Sequence, residues 1–332
     1  MSTSWLKNSG FEGSCRRGET NHKYTRPLGG VARRRMIPAG MLAKRERGGR
    51  LFAVPSGEGP SGVGETALGA AMMRAEESAR ADRLFDDPFA AAFVAAAPDA
   101  FADGPDPDDP AIAALTDAFR TNMALRTCFY DDYLRTACAQ GCRQVVLVAA
   151  GLDTRAFRLD WPDGARIFEL DLPEVLKFKD TVLADRDARA RCTRTAVGID
   201  LREDWPNELT KAGFDANVST AWTAEGLLAY LSHDDAARLL TRITELSRPD
   251  SQLAVEAARL ADDSTLTHAQ AMPDLDQVST LWKGGLNQDA AEWLRDRGWD
   301  VDEHDRATLA ARYDRPISDT STGGYLTAIR ER

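Results

Sequence analysis

The 332-residue chain has four histidines, five cysteines and no run of about 18 consecutive apolar residues. The missing apolar run excludes a membrane-spanning helix. The start of the chain is polar and lacks an apolar stretch closed by a small-residue cleavage site, which argues against a secretory signal. The cysteines (Cys15, Cys128, Cys138, Cys142 and Cys192) are odd in number and irregularly spaced. The pair four residues apart, Cys138 and Cys142, has no histidine cluster near it. That pattern suits neither a disulfide framework nor a zinc site, so no metal is expected, and the thiols read as reduced in a cytoplasmic protein. His22, His233, His268 and His304 form no recognisable catalytic grouping.

Apolar residues make up 43% of the chain, enough for a sizeable core without covalent or metal staples. The length allows one large α/β domain or two small ones. A net charge of −10 conceals an asymmetry. Residues 1–50 carry twelve Lys/Arg against Glu12, Glu19 and Glu46, a net of +9, which leaves −19 for the remainder. So acidic a body repels phosphates, and nucleic acid is not expected as a partner unless the basic arm recruits it. Residues 1–63 are rich in Gly, Arg and Ser and cannot bury enough surface to offset their ordering entropy. They read as a disordered basic extension or as the product of a start placed too early, with Met36 and Met41 as later starts. A basic arm that touches RNA, membrane or a partner is the functional alternative.

Helical patterning begins near residue 66. Residues 67–79 and 89–97 are Ala-rich amphipathic stretches separated by Asp86-Asp87-Pro88, and 111–139 is a long helix closed by Gly141. Strands and helices then alternate, the mark of a parallel sheet with crossover helices. Residues 144–150 form a continuous apolar run, as in a strand buried on both faces. Further strands are expected at 166–171, 195–200, 219–225, 252–256 and 324–329, with helices after Pro173 and at 234–247 and 290–297. The polar, irregular stretch 259–287 reads as a lid or insertion.

Two features point to a nucleoside site. Gly151 follows the first strand, where a residue without Cβ lets the backbone approach a ligand at the carboxyl end of a sheet. Asp171 lies twenty residues later at the end of the next strand, placed to accept hydrogen bonds from ribose hydroxyls. Glu169, two residues back on the same face, either shares that role or pairs with a cation. A dinucleotide would call for G-x-G-x-x-G, but Ala149 and Thr154 occupy the other two glycine places, which favours a ligand without pyrophosphate.

The strings AAGLDTRAFRL (149–159), FELDLPEVLKFK (168–179), IDLREDW (199–205) and AEGLLAYL (224–231) resemble the leucine carboxyl methyltransferase family. The likeness is greatest to its actinobacterial S-adenosylmethionine-dependent methyltransferases. ETALGAAMMRAEES, RLFDDPFA and GGYLTAIR fit the same pattern, so the resemblance spans roughly 65–330. It implies an α/β class I methyltransferase fold, Rossmann-like, with a mostly parallel seven-stranded sheet and a helical cap at 66–139. The methyltransferase domain would run over 64–332 and use S-adenosyl-L-methionine as cofactor. By the same resemblance Arg126, with Arg120 as competitor, pairs with the methionine carboxylate. Gly151 is the second glycine of the family's G-x-G turn, whose first place is Ala149 here. Asp171 binds the ribose, Asp200 and Leu201 bracket the adenine, and Glu225 sits near the methionine amino group. Without the resemblance Asp200 reads as a helix N-cap, and Asp153 and Arg155 read as residues that fix the turn.

The expected reaction is O-methylation of a carboxylate or hydroxyl on a small-molecule acceptor. A carboxylate is already ionised and needs no base; a hydroxyl would need one, with His233 and His268 as candidates. No catalytic residue is assigned. A nicotinamide-dependent oxidoreductase and a non-catalytic S-adenosylmethionine-binding protein are the rival readings.

Overall fold

The computed structural model describes residues 63–101, 110–257, 283–286, 288–317 and 324–332. Five strands run parallel: β1 (Gln144–Val148), β2 (Arg166–Asp171), β3 (Thr193–Gly198), β4 (Thr220–Ala224) and β5 (Gln252–Ala257). With β6 (Trp299–Asp305) and β7 (Gly324–Arg330) they make a seven-stranded sheet in the order β3-β2-β1-β4-β5-β7-β6. Only β7 opposes its neighbours, pairing antiparallel with both β5 and β6. The sheet is the mostly parallel, Rossmann-like one expected for a class I methyltransferase.

Among the described residues, three α-helices precede the sheet: α1 (Val63–Ala79), α2 (Ala90–Ala96) and α3 (Pro110–Ala139). Short α4 (Arg155–Arg158) follows β1, α5 (Pro173–Ala184) follows β2, α6 (Trp205–Lys211) follows β3, and α7 (His233–Glu245) follows β4. Helices α8 (Ala290–Arg295) and α9 (Arg306–Arg312) flank β6. Pro173, whose fixed φ suits the first helical turn, opens α5, and the Ser232 hydroxyl caps α7 by accepting from the Asp235 N–H at 3.2 Å.

All five residues of β1 are buried, as a strand covered on both faces requires. Alternate side chains divide between two cores. Val145, Leu147, Ile167 and Ala221 pack beneath α1, α3 and α5, against Leu68, Leu134 and Val182. Val146, Phe168, Trp222 and Val255 pack beneath α6, α7 and α8, against Trp205, Leu240 and Trp293. Two tyrosines of α3 pin that helix to the sheet. The Tyr133 hydroxyl donates to the Trp222 carbonyl at 3.0 Å, and Tyr130 to that of Ala224 at 3.5 Å. At the other end of the layer α1 lies over the β1 turn, where Arg74 Nη2 donates to the Leu152 carbonyl at 2.7 Å.

The observed elements differ from the expected ones in a few places. β1 ends at Val148, two residues early, because Ala149 turns into left-handed backbone at φ 54°. Strand β6 was given no place, nor were short α6 and α9, whereas α4 stands where a helix was expected after the Gly151 turn. The expected extension 1–63 lies outside the described residues apart from Val63, and the expected lid 259–287 does so apart from 283–286. In that described piece the Lys283 and Gly285 N–H groups donate to the carbonyls of Ala229 and Leu231, at 2.8 and 3.0 Å. No helix among the described residues is long and apolar enough to cross a membrane.

Candidate functional site

From β1 the chain winds outward in both directions, to β2 and β3 on one side and to β4 and β5 on the other. Where strand order reverses, the connections diverge and leave a crevice at the carboxyl ends of the strands. The turns after β1, β2 and β4 therefore carry the residues that can face a ligand.

Gly151 occupies the first turn at φ 50°, left-handed backbone, and a Cβ there would stand 3.3 Å from that of Ala67 on α1. The crowding and the dihedral together account for glycine at this position. Its N–H donates to Asp171 Oδ2 at 2.6 Å, and the Leu172 N–H donates to Oδ1 at 2.7 Å. The spacing of twenty residues thus becomes a direct contact between adjacent strands. Burial pushes the Asp171 carboxyl above its ordinary range, against the two backbone hydrogen bonds that hold it down. Each carboxylate oxygen has two acceptor positions, so one on each is left for a hydroxyl donor.

On the far side of β1, Glu225 follows β4. Its Oε1 accepts from Arg126 Nε at 3.0 Å, and its Oε2 accepts from Arg155 Nη1 at 2.8 Å. Arg126, on α3, also reaches Glu256 Oε2 on β5 at 3.4 Å, and Glu256 Oε1 lies 3.4 Å from Arg306 Nη2. Gly226, at φ 60°, lets the turn pass close beneath Arg126, whose Nη1 would be 3.0 Å from an added Cβ. Burial disfavours the charge on Arg126, but the Glu256 and Glu225 carboxylates outweigh it and keep the guanidinium ionised. Arg120, the competitor for its role, instead pairs with Glu76 at 2.6 Å, between α3 and α1.

Arg155 continues the charge chain downward. It donates through Nε to Asp131 Oδ1 at 2.7 Å and pairs with Asp153, whose Oδ1 also accepts the Arg155 N–H at 2.6 Å. Asp131 also takes Arg158, at 2.5 and 2.7 Å. Burial raises the Asp131 carboxyl, but the charges of Arg158 and Arg155 more than reverse that and hold it at about 2. Among the described residues, four arginines (Arg126, Arg155, Arg158 and Arg306) thus meet four carboxylates (Asp131, Asp153, Glu225 and Glu256) in one connected array.

Asp200 and Leu201 lie just past β3. Asp200 accepts the Arg202 N–H at 2.9 Å and pairs with the Arg202 side chain; the cap position of α6 is Asp204. Its local role is therefore an Asx turn and not the helix N-cap suggested by its position. Leu201 packs partly buried against the second core. Glu169 is fully buried and bound by Lys179 and Arg194, both at 2.7 Å, which resolves its two readings in favour of cation pairing. Sequence reasoning did not single out Asp131, Glu256 or Arg306. Asp131 sits beside Asp132 on the long helix α3, and only the fold shows that it is the one paired with Arg155 and Arg158 of α4.

The leucine carboxyl methyltransferase family model matches residues 67–244, a span that contains Arg126, Gly151, Asp171, Asp200, Leu201 and Glu225. A protein of Parafrankia sp. is 48% identical over 273 residues, covering 82% of this chain and 88% of its own. One of Frankia alni is 48% identical over 274 residues, with 82% and 96% covered. One of Saccharopolyspora erythraea is 43% identical over 285 residues, again with 82% and 96% covered. All three are provisionally named S-adenosyl-L-methionine-dependent methyltransferases.

Proposed function

The chain belongs to the leucine carboxyl methyltransferase family and is an S-adenosylmethionine-dependent methyltransferase, and we propose that it O-methylates a carboxylate or hydroxyl of a small-molecule metabolite. The observation that carries the donor side is the Gly151–Asp171 contact across β1 and β2, opposite the Arg126–Glu225 pair at the end of β4. The first offers a close-approach turn and a carboxylate with spare acceptor positions, which suits a ribose. The second offers a cation and an anion side by side, which suits the carboxylate and ammonium of an amino acid. The residues thus fit S-adenosylmethionine in its two halves: Asp171, Asp200 and Leu201 for the nucleoside, Arg126 and Glu225 for the methionine.

Bound there, the cofactor supplies a methyl group on a positively charged sulfur. The chain's own work is to orient and to exclude water. An acceptor carboxylate is a nucleophile at neutral pH once stripped of its hydration shell, so alignment and desolvation account for most of the acceleration. Of the two base candidates for a hydroxyl acceptor, His233 is the first residue of α7, and His268 lies outside the described residues. The working unit is taken as residues 64–332, in a cytoplasmic protein with a small-molecule partner and no nucleic acid or membrane.

Calorimetric titration with S-adenosylmethionine and, separately, with NADH tests the donor side. Micromolar binding of S-adenosylmethionine is expected, weakened at least tenfold in Asp171→Ala, or about 1.4 kcal/mol. Folded protein that binds NADH in its place would overturn the reading. The acceptor side is tested by methyl transfer from labelled S-adenosylmethionine to panels of small carboxylic acids and of phenols. Incorporation into neither, with transfer to protein or RNA instead, would overturn the small-molecule assignment.

A further inference from the structure

Glu225 is held from two sides, and the two holders differ in kind. Arg126 is partly exposed and can meet a ligand. Arg155 and Asp131, at 4% and 1% side-chain exposure, cannot. Yet Arg155 supplies the shorter of the two contacts to Glu225, 2.8 Å against 3.0 Å. Its guanidinium plane is fixed on the opposite edge, where Nε donates to Asp131 at 2.7 Å, and Asp131 is itself clamped by Arg158. A guanidinium is a rigid planar fork, so fixing one edge sets the direction of the other. Asp131 belongs to α3, four residues on from Thr127, whose carbonyl accepts from Arg155 Nη2 at 3.4 Å. The same helix carries Arg126, so both holders of Glu225 are referenced to one rigid element.

We infer that Asp131 is a positioning residue for methyl-donor binding: acting through Arg155, it fixes the Glu225 carboxylate where the donor's ammonium group is met. The inference rests on the donor-side reading given above. Packing alone does not require this arrangement, since buried ion clusters can be replaced by apolar groups of similar volume without loss of stability. What an apolar core could not do is hold a half-buried carboxylate at the rim of the crevice in one orientation.

The test compares two probes by calorimetry on the full chain. S-adenosylhomocysteine carries the amino-acid arm; 5′-methylthioadenosine shares the nucleoside and the thioether but lacks that arm. In Asp131→Asn the affinity for S-adenosylhomocysteine is expected to fall at least tenfold, with that for 5′-methylthioadenosine changed less than twofold. On a Glu225→Gln background the same substitution should change S-adenosylhomocysteine binding less than twofold, because the residue it acts through is already altered. An equal loss for both probes would mark a general structural role and overturn the inference, as would no loss for either. Should Asp131→Asn fail to fold, Arg155→Lys, which keeps the charge and removes the fork, must show the same split between probes. Wild-type protein that binds neither probe would overturn the donor-side reading itself, and the relay with it.

Discussion

At Ala149 and Gly151 the backbone is left-handed twice within three residues, at φ 54° and 50°. An L-residue in that region costs about 1–2 kcal/mol, and Ala149 bears this cost where a glycine would not. Ala149→Gly is therefore expected to raise stability, by up to about 1 kcal/mol once the added freedom of the unfolded chain is counted. A higher thermal midpoint with unchanged or tighter S-adenosylmethionine binding is the outcome to look for; a lower midpoint would contradict it. Gly151→Ala should run the other way. The new Cβ meets Ala67 in strained backbone and presses on the N–H that holds Asp171. A loss of about 1–2 kcal/mol in stability is expected, with weakened donor binding. Of the candidate site residues, Gly151 and Asp171 could be singled out from spacing, and the structure brings the two into contact, although a capped turn and an exposed strand-end acid are common on other grounds. Arg126 and Glu225 were legible only through family likeness. A helix arginine and a loop glutamate look like surface residues until the helix is laid against the sheet. Asp131 was legible by neither route.

Among the elements, β1, β2, β4 and β5 could be read because burial on both faces leaves mostly apolar runs, whereas β3, a largely exposed edge strand, starts two residues before its expected place. β6 could not be read. Its sequence WDVDEHD is rich in acids, which disfavour strands, yet Trp299, Val301 and His304 are buried while Asp300 and Glu303 point outward. The start of an alternation is there (Trp, Asp, Val, Asp), but it is short and follows the glycine that ends α8. The junction of β6 and α9 carries a second testable device. Asp305 caps α9 by accepting from the Thr308 N–H at 2.7 Å, and Arg306 next to it reaches Glu256. Asp305→Ala should cost about 1 kcal/mol of stability, measurable by urea unfolding, and Asp305→Asn or Asp305→Ser should recover most of it. A loss equally large in the Asn and Ser variants would argue against capping as the cause.

For the molecule as a whole, the buried charge array makes stability depend on pH in the acid range. Asp131 has an ordinary carboxyl value of 3.8 and is held at about 2 in the folded protein; Asp153 is lowered as well, chiefly by Arg155 against the effect of burial. A group lowered by folding contributes stability above its unfolded value and loses it as pH falls through the folded one. The contribution of Asp131, about 2 kcal/mol, should therefore be whole above pH 4 and fade toward pH 2. Asp171 acts in the opposite sense, since burial raises it and its ionisation at neutral pH opposes folding. Thermal midpoints should fall mainly below pH 4; a flat profile between pH 4 and 2 would show that the array adds no net stability.

The position of β7 has a consequence for how the protein is made. Residues 324–330 enter the sheet between β5 and β6, so β6 has no strand partner until they are available. During synthesis the order is thus β1 to β5 first, then a long wait with β5 as a raw edge, and closure only when β7 emerges from the ribosome. An exposed parallel edge of that kind is a template for pairing with other chains. Released chains truncated before Gly324 should stay open to protease in β6 and recruit chaperones, and restoring residues 324–332 should abolish both.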